Sequence, residues 1–392
     1  MKSDFDPLAP ETFDSPYEEY RRLRGSCPVA HSDAWGGFWA LTKHDDVVAA
    51  ASDYRTFITS VQNVVPKVAF TGRRPPLHLD PPEHTPYRRA LAPLLSERRV
   101  ALLEPVIRQI CRDLLAPMVA KGGGDIVAEF SAPMPIATFA NWMNLGPEAI
   151  AELTRVGRDY NIAVQSNDAD ETKRSSLLLY DMARALVDDR KANPLPPEED
   201  ATSALLAATF EGEPLPEEMI VGTIRQVLVV GIIAPSVTIG SMTVHLGRDR
   251  DLQDRLRREP GQIPAAIEEL LRLYTPYRGF ARTAVCDVEI RGTTIPQGEP
   301  IAVVYASANR DAEVFDEPDT FRLDRANLKD SVAFGRGPHA CVGAALARLE
   351  LKVALEELLA AAPGFSLAGE PVQTRFPEIG ALSVPIAFGA VS

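Results

Sequence analysis

Apolar positions recur at helical spacing over most of the chain. From Val100 to Glu199 the pattern is helical throughout, with Leu102, Leu103, Val106, Ile107 and Ile110 on one stripe and Leu177, Leu178, Met182 and Leu186 on another. No strand-like run interrupts it, and prolines predict loops at Pro194 to Pro197 and around Pro214 and Pro216. Nearer the start, Tyr17 to Arg24 reads as a helix, Gly37 to Thr42 alternates as a short strand, and Asp45 to Ala51 follows as a capped helix. A second β region is predicted over Phe280 to Ile290, with a turn at Arg291-Gly292 and a return through Thr293 to Gly298. Between Phe57 and Leu79 the periodicity fails, and a long irregular segment inside a compact domain is usually functional or disordered. The expected fold is mainly α with a minor β region. No Gly/Ser linker divides residues 1–392, so one domain is expected.

The longest uncharged stretch, Gln226 to Gly247, would make a helix of about 33 Å, long enough to cross a bilayer. It also carries Gln226, Pro235, Ser236, Thr238, Ser241, Thr243 and His245, and one crossing would leave two halves of one domain on opposite sides. A helix buried through the middle of a soluble protein is the reading adopted. Composition agrees, with 45% hydrophobic and 24% charged residues. A net charge of −13 argues against nucleic-acid or anionic-membrane partners. Cys27, Cys111, Cys286 and Cys341 are scattered without metal-site spacing, which suits a reducing cytoplasm. The segment Met1 to Asp6 lacks an apolar signal-peptide core, so neither leader nor anchor is expected there.

The densest motif is Phe334-Gly335-Arg336-Gly337-Pro338-His339-Ala340-Cys341-Val342-Gly343, leading into a helical pattern from Ala344. Glycines and proline fix a tight loop that delivers one cysteine to a helix N-terminus, a placement that favours thiolate. The residues alone leave three readings: a buried structural cysteine, a phosphate-cradling loop that lacks its fingerprint ending, and an iron-thiolate loop. Phe334, Gly335, Gly337, His339, Cys341 and Gly343 match the haem-binding loop of the cytochrome P450 family, and the chain resembles a bacterial soluble member of it, akin also to the haem domains of reductase-fused members. The resemblance implies the cytochrome P450 fold, haem b (iron protoporphyrin IX) as cofactor and Cys341 as its iron ligand.

Other motifs extend the resemblance from about residue 40 to the end. Asp80-Pro81-Pro82-Glu83-His84-Thr85 resembles a second signature; His84 and Arg88 share a helix face four residues apart and are implied to clamp a haem propionate, as are Arg282 and His339. The pair Glu269 and Arg272 resembles the structural Glu-x-x-Arg motif on the proximal side. Its usual third partner, an Arg in Pro-x-Arg-Phe, is replaced here by Thr320, leaving Arg322 and Arg325 as candidates. The region Arg158 to Asp170 is implied to roof the pocket.

The central helix departs from the family. The run Val230-Gly231-Ile232-Ile233-Ala234-Pro235-Ser236 puts Ile233 at the position of a proton-relaying acid and Ala234 at that of an alcohol. Pro235 removes the amide partner of the Gly231 carbonyl, so the expectation is an opened helix in which water and Ser236 carry protons. The implied activity is insertion of one oxygen atom of O2 into a small hydrophobic, possibly aromatic, substrate, or its oxidative dealkylation; a peroxide-driven peroxygenase or a non-catalytic haem ligand-binding protein are the alternatives. NAD(P)H electrons would arrive through a ferredoxin and ferredoxin reductase, or an equivalent reductase, at a basic patch of Arg98, Arg99, Arg108, Arg112, Arg336, Arg348 and Lys352 on a monomer. Pocket candidates are Val230, Ile233, Ala234, Val61 to Phe70, Tyr277 to Phe280 and Ile379 to Leu382. Arg278 is expected at the surface, with carboxylate binding as its alternative.

Overall fold

A computed structural model describes residues 3–10, 12, 15–66, 71–166, 168–374 and 377–389. Helix α1 (Tyr17–Ser26) leads into strands β1 (Val29–Ser32) and β2 (Phe38–Leu41), helix α2 (His44–Ser52) and strand β3 (Phe57–Ile58). After an irregular segment come α3 (Thr85–Leu91) and α4 (Glu104–Ala120), strand β4 (Gly123–Asp125), and helices α5 (Pro133–Trp142), α6 (Pro147–Ser166) and α7 (Ala169–Ala192). The long helix α8 (Glu217–Arg248) and α9 (Ile263–Leu273) precede β5 (Phe280–Ala284), β6 (Val288–Ile290), β7 (Thr293–Ile295) and β8 (Pro300–Val303). Helix α10 (Ala344–Ala361) and strands β9 (Phe365–Leu367), β10 (Ala381–Ser383) and β11 (Pro385–Phe388) follow.

Helix α8 is the axis of the molecule. Most of its residues are buried, and it packs against α5, α6, α7, α10, β9 and β10. Its apolar length thus lies inside protein, as the sequence reading required. Gly231 permits the closest of these approaches: a Cβ there would stand 2.3 Å from Cε2 of Phe139 on α5.

The main sheet has the order β1-β2-β8-β5-β3. Strands β1 and β2 pair antiparallel, β2 and β8 parallel, and β8 and β5 antiparallel with Ile301 opposite Arg282. A second sheet, β9-β11-β4, closes the far side. Strand β4 corrects the expectation of an all-helical Val100 to Glu199. It is Gly123-Gly124-Asp125, whose glycines give no side-chain alternation to read, and its backbone pairs with β11. The run Phe280 to Ile290 is likewise two strands, because 285–287 leave the main sheet before β6 pairs with β7 across Arg291-Gly292.

Candidate active site

The cysteine loop is held by short-range geometry. Gly335 (φ 72°) and Gly337 (φ 69°) both take the left-handed conformation, and a Cβ on Gly337 would lie 2.5 Å from the Ala51 carbonyl at the end of α2. The Cys341 N–H donates to the Phe334 carbonyl at 2.8 Å. Arg348 stacks 4.4 Å over the Phe334 ring while its guanidinium donates to Glu268. Cys341 itself is exposed, yet burial pushes its thiol pKa up, opposed by the Gly343 N–H, Arg88 and Arg348. A side chain surrounded by protein and still open faces an interior space. Without a cation on the sulfur, desolvation outweighs the Gly343 N–H and the two arginines, so the expected bias toward thiolate needs a metal on the sulfur.

Helix α8 carries an opening of its own. Val230, mid-helix between buried neighbours, is 45% exposed, and Gly231 and Ala234 are partly open. Val230 and Ala234 are four residues apart and share one face. Ile233 points elsewhere, into the core, so it lines this opening less than the sequence reading expected. The helix runs unbroken through Pro235, which corrects the expectation of an opened helix. The Ala234 carbonyl is taken by the Thr238 hydroxyl at 2.7 Å, Ser236 is buried, and Pro235 still offers no N–H to the Gly231 carbonyl. Burial raises the Tyr277 pKa, with Glu378 and Cys341 near enough to add to it.

Two arginines and two imidazoles rim the opening. His84 caps α3, and its ring lies 4.5 Å centroid to centroid from that of His339. The His84 Nε2 is buried without a partner, and burial, with His339 and Arg88 nearby, lowers its pKa to about 3. Arg88 makes no ion pair among the described residues, and burial lowers its pKa too, with Cys341 the one opposing charge. Arg282 is buried on β5 and donates to the Ala281 carbonyl. His339 has a carboxylate near: its Nε2 lies 3.2 Å from the Thr59 hydroxyl and 3.8 Å from Asp80, which also bears on His84 and takes the amides of Thr59 and Ser60. Four positive or donor groups thus converge with little negative charge to meet them, beside an exposed thiol. Such a set can hold a dianion that carries a thiophilic metal.

Behind the loop, Glu269 and Arg272 are both 0% exposed and joined by two hydrogen bonds of 2.7 and 2.8 Å. Arg325 is the third partner, donating from Nε to both Glu269 oxygens at 2.9 and 3.1 Å. Arg322 contributes its backbone N–H to Glu269 at 3.0 Å, while its side chain turns to Asp316. Arg272 also donates to the Asn309 carbonyl, and Asn309 accepts the Val332 N–H at 2.8 Å, so the network anchors the root of the cysteine loop.

Two expectations change. Arg278 is not at the surface; it is 2% exposed and donates to the carbonyls of Thr12 and Glu378. The basic patch is largely neutralised: Arg108 and Arg112 bind Glu357, Arg348 binds Glu268, and Lys352 lies 3.4 Å from Glu104. Of the pocket segment Val61 to Phe70, residues 67–70 lie outside the described residues, as does Asn167 in the roof segment. The sequence reading also missed two interior arginines, Arg74 and Arg225. The available signal was an arginine set inside the apolar run Ile220 to Val229.

The cytochrome P450 family model matches residues 161–362. A cytochrome P450, number 130, from Mycobacterium tuberculosis is 32% identical over 384 residues, covering 94% of this chain and 93% of the relative. The chain belongs to the cytochrome P450 family. A linalool 8-monooxygenase from Pseudomonas putida is 31% identical over 386 residues, covering 92% of each. The solved structure of cytochrome P450 CYP109Q5 from Chondromyces apiculatus superposes with a TM-score of 0.89 at 29% identity, covering 100% of both chains. This is a bacterial cytochrome P450 with the mainly α fold of that family, an oxidoreductase family that implies a haem-iron cofactor and whose relatives are monooxygenases.

Proposed function

We propose that the chain, as one cytoplasmic domain over residues 1–392, binds haem b between Cys341 and the Val230–Ala234 face of α8 and oxidises a small hydrophobic molecule there. The observation that carries this is the pairing of an interior, accessible thiol with the rim of His84, Arg88, Arg282 and His339, in which the His84 Nε2 has no hydrogen-bond partner and Arg88 no ion pair among the described residues. In this reading Cys341 ligates the iron, the rim residues hold the propionates, and Phe334 and Gly343 shape the loop around the sulfur. Haem supplies the oxygen-activating redox chemistry. The protein's own residues do the rest. Val230 and Ala234 present an apolar wall that orients substrate and excludes bulk water. The Gly231 carbonyl, without an amide partner at Pro235, is an acceptor for an ordered water that can hold a proton beside that wall, with Ser236 one residue beyond. Electrons from NAD(P)H arrive through a ferredoxin and its reductase, or an equivalent reductase, to a monomer.

The test is a reduced-CO difference spectrum of the purified holoprotein and its Cys341→Ser variant. The wild type is expected to show the thiolate band and the variant to lose it; a wild type without the band sinks the proposal. A ligand-shift screen with aromatic, terpene and fatty-acid compounds then orders the substrates. Because Ile233 is buried in the core and Ala234 carries no donor, a second reading stands: turnover driven by peroxide rather than by NAD(P)H. Comparing the two drives with competent redox proteins decides between them, and a spectrally silent, inactive haem protein would instead be a ligand binder.

A further inference from the structure

Two arginines meet inside the protein with no acid paired to either among the described residues. Arg225, on α8, is 1% exposed. Its Nη2 donates to the Ser176 hydroxyl at 2.7 Å, and its guanidinium lies 5.1 Å from the Tyr160 ring and 5.8 Å from the Tyr180 ring. Its Nε and Nη1 are buried without a hydrogen-bond partner among the described residues. Arg74, in the irregular segment before α3, reaches the same place: Arg225 and Tyr160 are both close enough to bear on its charge. The Nη2 of Arg74 lies 3.2 Å from His78 Nε2, itself 2.9 Å from Asn63 Oδ1, and its Nε is again buried and unpartnered. Beside them the Gln226 Oε1 has no partner either.

This arrangement is unfavourable as it stands. Like charges are brought together out of water, and the contact with aromatic faces offsets only a small part of the cost of each unmet buried charge. The segment is nonetheless held tightly, because a Cβ on Gly222 would stand 2.1 Å from the Arg73 carbonyl, and the Tyr180 hydroxyl donates to that same carbonyl. The arginines are thus fixed in place rather than free to swing to solvent. What satisfies three orphan guanidinium N–H sites at once is an anion with paired oxygens.

Arg225 lies on the same helix as the oxidation pocket, and Tyr160, whose ring is 5.1 Å from its guanidinium, is near enough to Tyr277, as Tyr277 is to Cys341, for their charges to interact. Nine residues separate Arg225 from Ala234, or about 13 Å along the helix axis. We infer that the Arg74–Arg225 pair is a carboxylate clamp at the far end of the pocket, selecting elongated acids whose apolar body runs past Tyr160 toward the Val230–Ala234 face. The inference rests on the oxidation pocket proposed above.

The experiment titrates the holoprotein with dodecanoate, its methyl ester and hexanoate, following the haem spectrum and, independently, the heat of binding by calorimetry. Dodecanoate is expected to bind at least about tenfold tighter than its ester, because a charge-assisted paired contact is worth more than a factor of ten. Arg225→Leu and Arg74→Leu should each lose about that factor for the acid and leave the ester unchanged, with Arg225→Lys intermediate. Hexanoate, too short to reach the α8 face, should bind the clamp by calorimetry and leave the haem spectrum still. Equal affinity of wild type for acid and ester overturns the clamp, and that comparison needs no variant to fold. Acid affinity unchanged in Arg225→Leu overturns it as well. A thiolate band in the reduced-CO spectrum with no acid preference sinks the clamp alone, whereas absence of the band from wild type sinks the oxidation pocket itself.

Discussion

At the scale of single residues, the protein places unmet polar groups where a ligand would meet them, and it also carries some that no ligand explains. Glu350 is one of these. It lies buried on α10 with Oε1 unpartnered, and burial raises its pKa well above the usual carboxylate range. A folded-state pKa above the unfolded value means that the folded chain holds a proton the unfolded chain gives up. Stability is then full below the unfolded pKa and falls as pH rises toward the folded one. Glu350→Gln removes the titration. Its melting temperature should approach that of wild type near pH 5 and exceed it by a widening margin toward about pH 8. A margin that stays constant across that range would show that Glu350 stays ionised when folded. Glu378 repeats the pattern, with burial pushing its pKa up to about 7 against the opposing contacts of Gln165 and Arg278. Arg325 shows the opposite case, a charge whose partner is already present. Arg325→Ala leaves Glu269 with an incomplete buried network and should cost about 3–5 kcal/mol in denaturant unfolding, with haem lost at lower denaturant than in wild type. Arg322→Ala, whose Glu269 contact is through the backbone, should cost far less.

At the scale of elements, close approach decides the sign of substitutions that propensity alone would get wrong. Alanine in place of a mid-helix glycine usually gains about 1 kcal/mol. At Gly231 the new methyl would meet Phe139 at 2.3 Å, and overpacking of a rigid ring costs about 1–3 kcal/mol. Gly231→Ala is therefore expected to destabilise, and Phe139→Leu in the same chain to restore it; urea unfolding of the two variants and their double measures the coupling. The same distinction explains what could be read in advance. The cysteine loop, the α8 axis and the pair of Glu269 and Arg272 were legible because each is written over a few neighbouring residues. Arg325 was only one of two candidates, since choosing it over Arg322 depends on which of them the chain at 316–325 turns inward. Strand β4 was invisible because glycine carries no pattern. Arg74 and Arg225 were missed because one lies in an irregular segment and the other looks like a flank of an apolar helix, and nothing local says that both point into one space.

At the scale of the whole molecule, charge is excess-negative overall and finely paired near the cysteine loop. Arg108, bound by Glu104, Glu356 and Glu357, and Arg348, bound by Glu268, contribute little net positive field. Arg98 and Arg336 differ, having no acidic partner among the described residues; Arg336 donates only to the Lys329 carbonyl. On the proposed reading, an acidic electron donor approaching a protein of net charge −13 would be steered by such uncompensated positions, because paired charges cancel beyond a Debye length of about 10 Å at 0.1 M salt. Arg98→Glu and Arg336→Glu should therefore slow ferredoxin-driven reduction at low salt and converge on the wild-type rate as salt rises. Arg108→Glu should lower thermal stability, since three glutamates lose their shared partner, while changing the salt dependence of reduction less. Stopped-flow reduction rates across ionic strength, with each variant matched for thiolate-band content, make the comparison. Equal slowing by all three substitutions at every salt concentration would mean that the paired arginines, not the free ones, meet the electron donor.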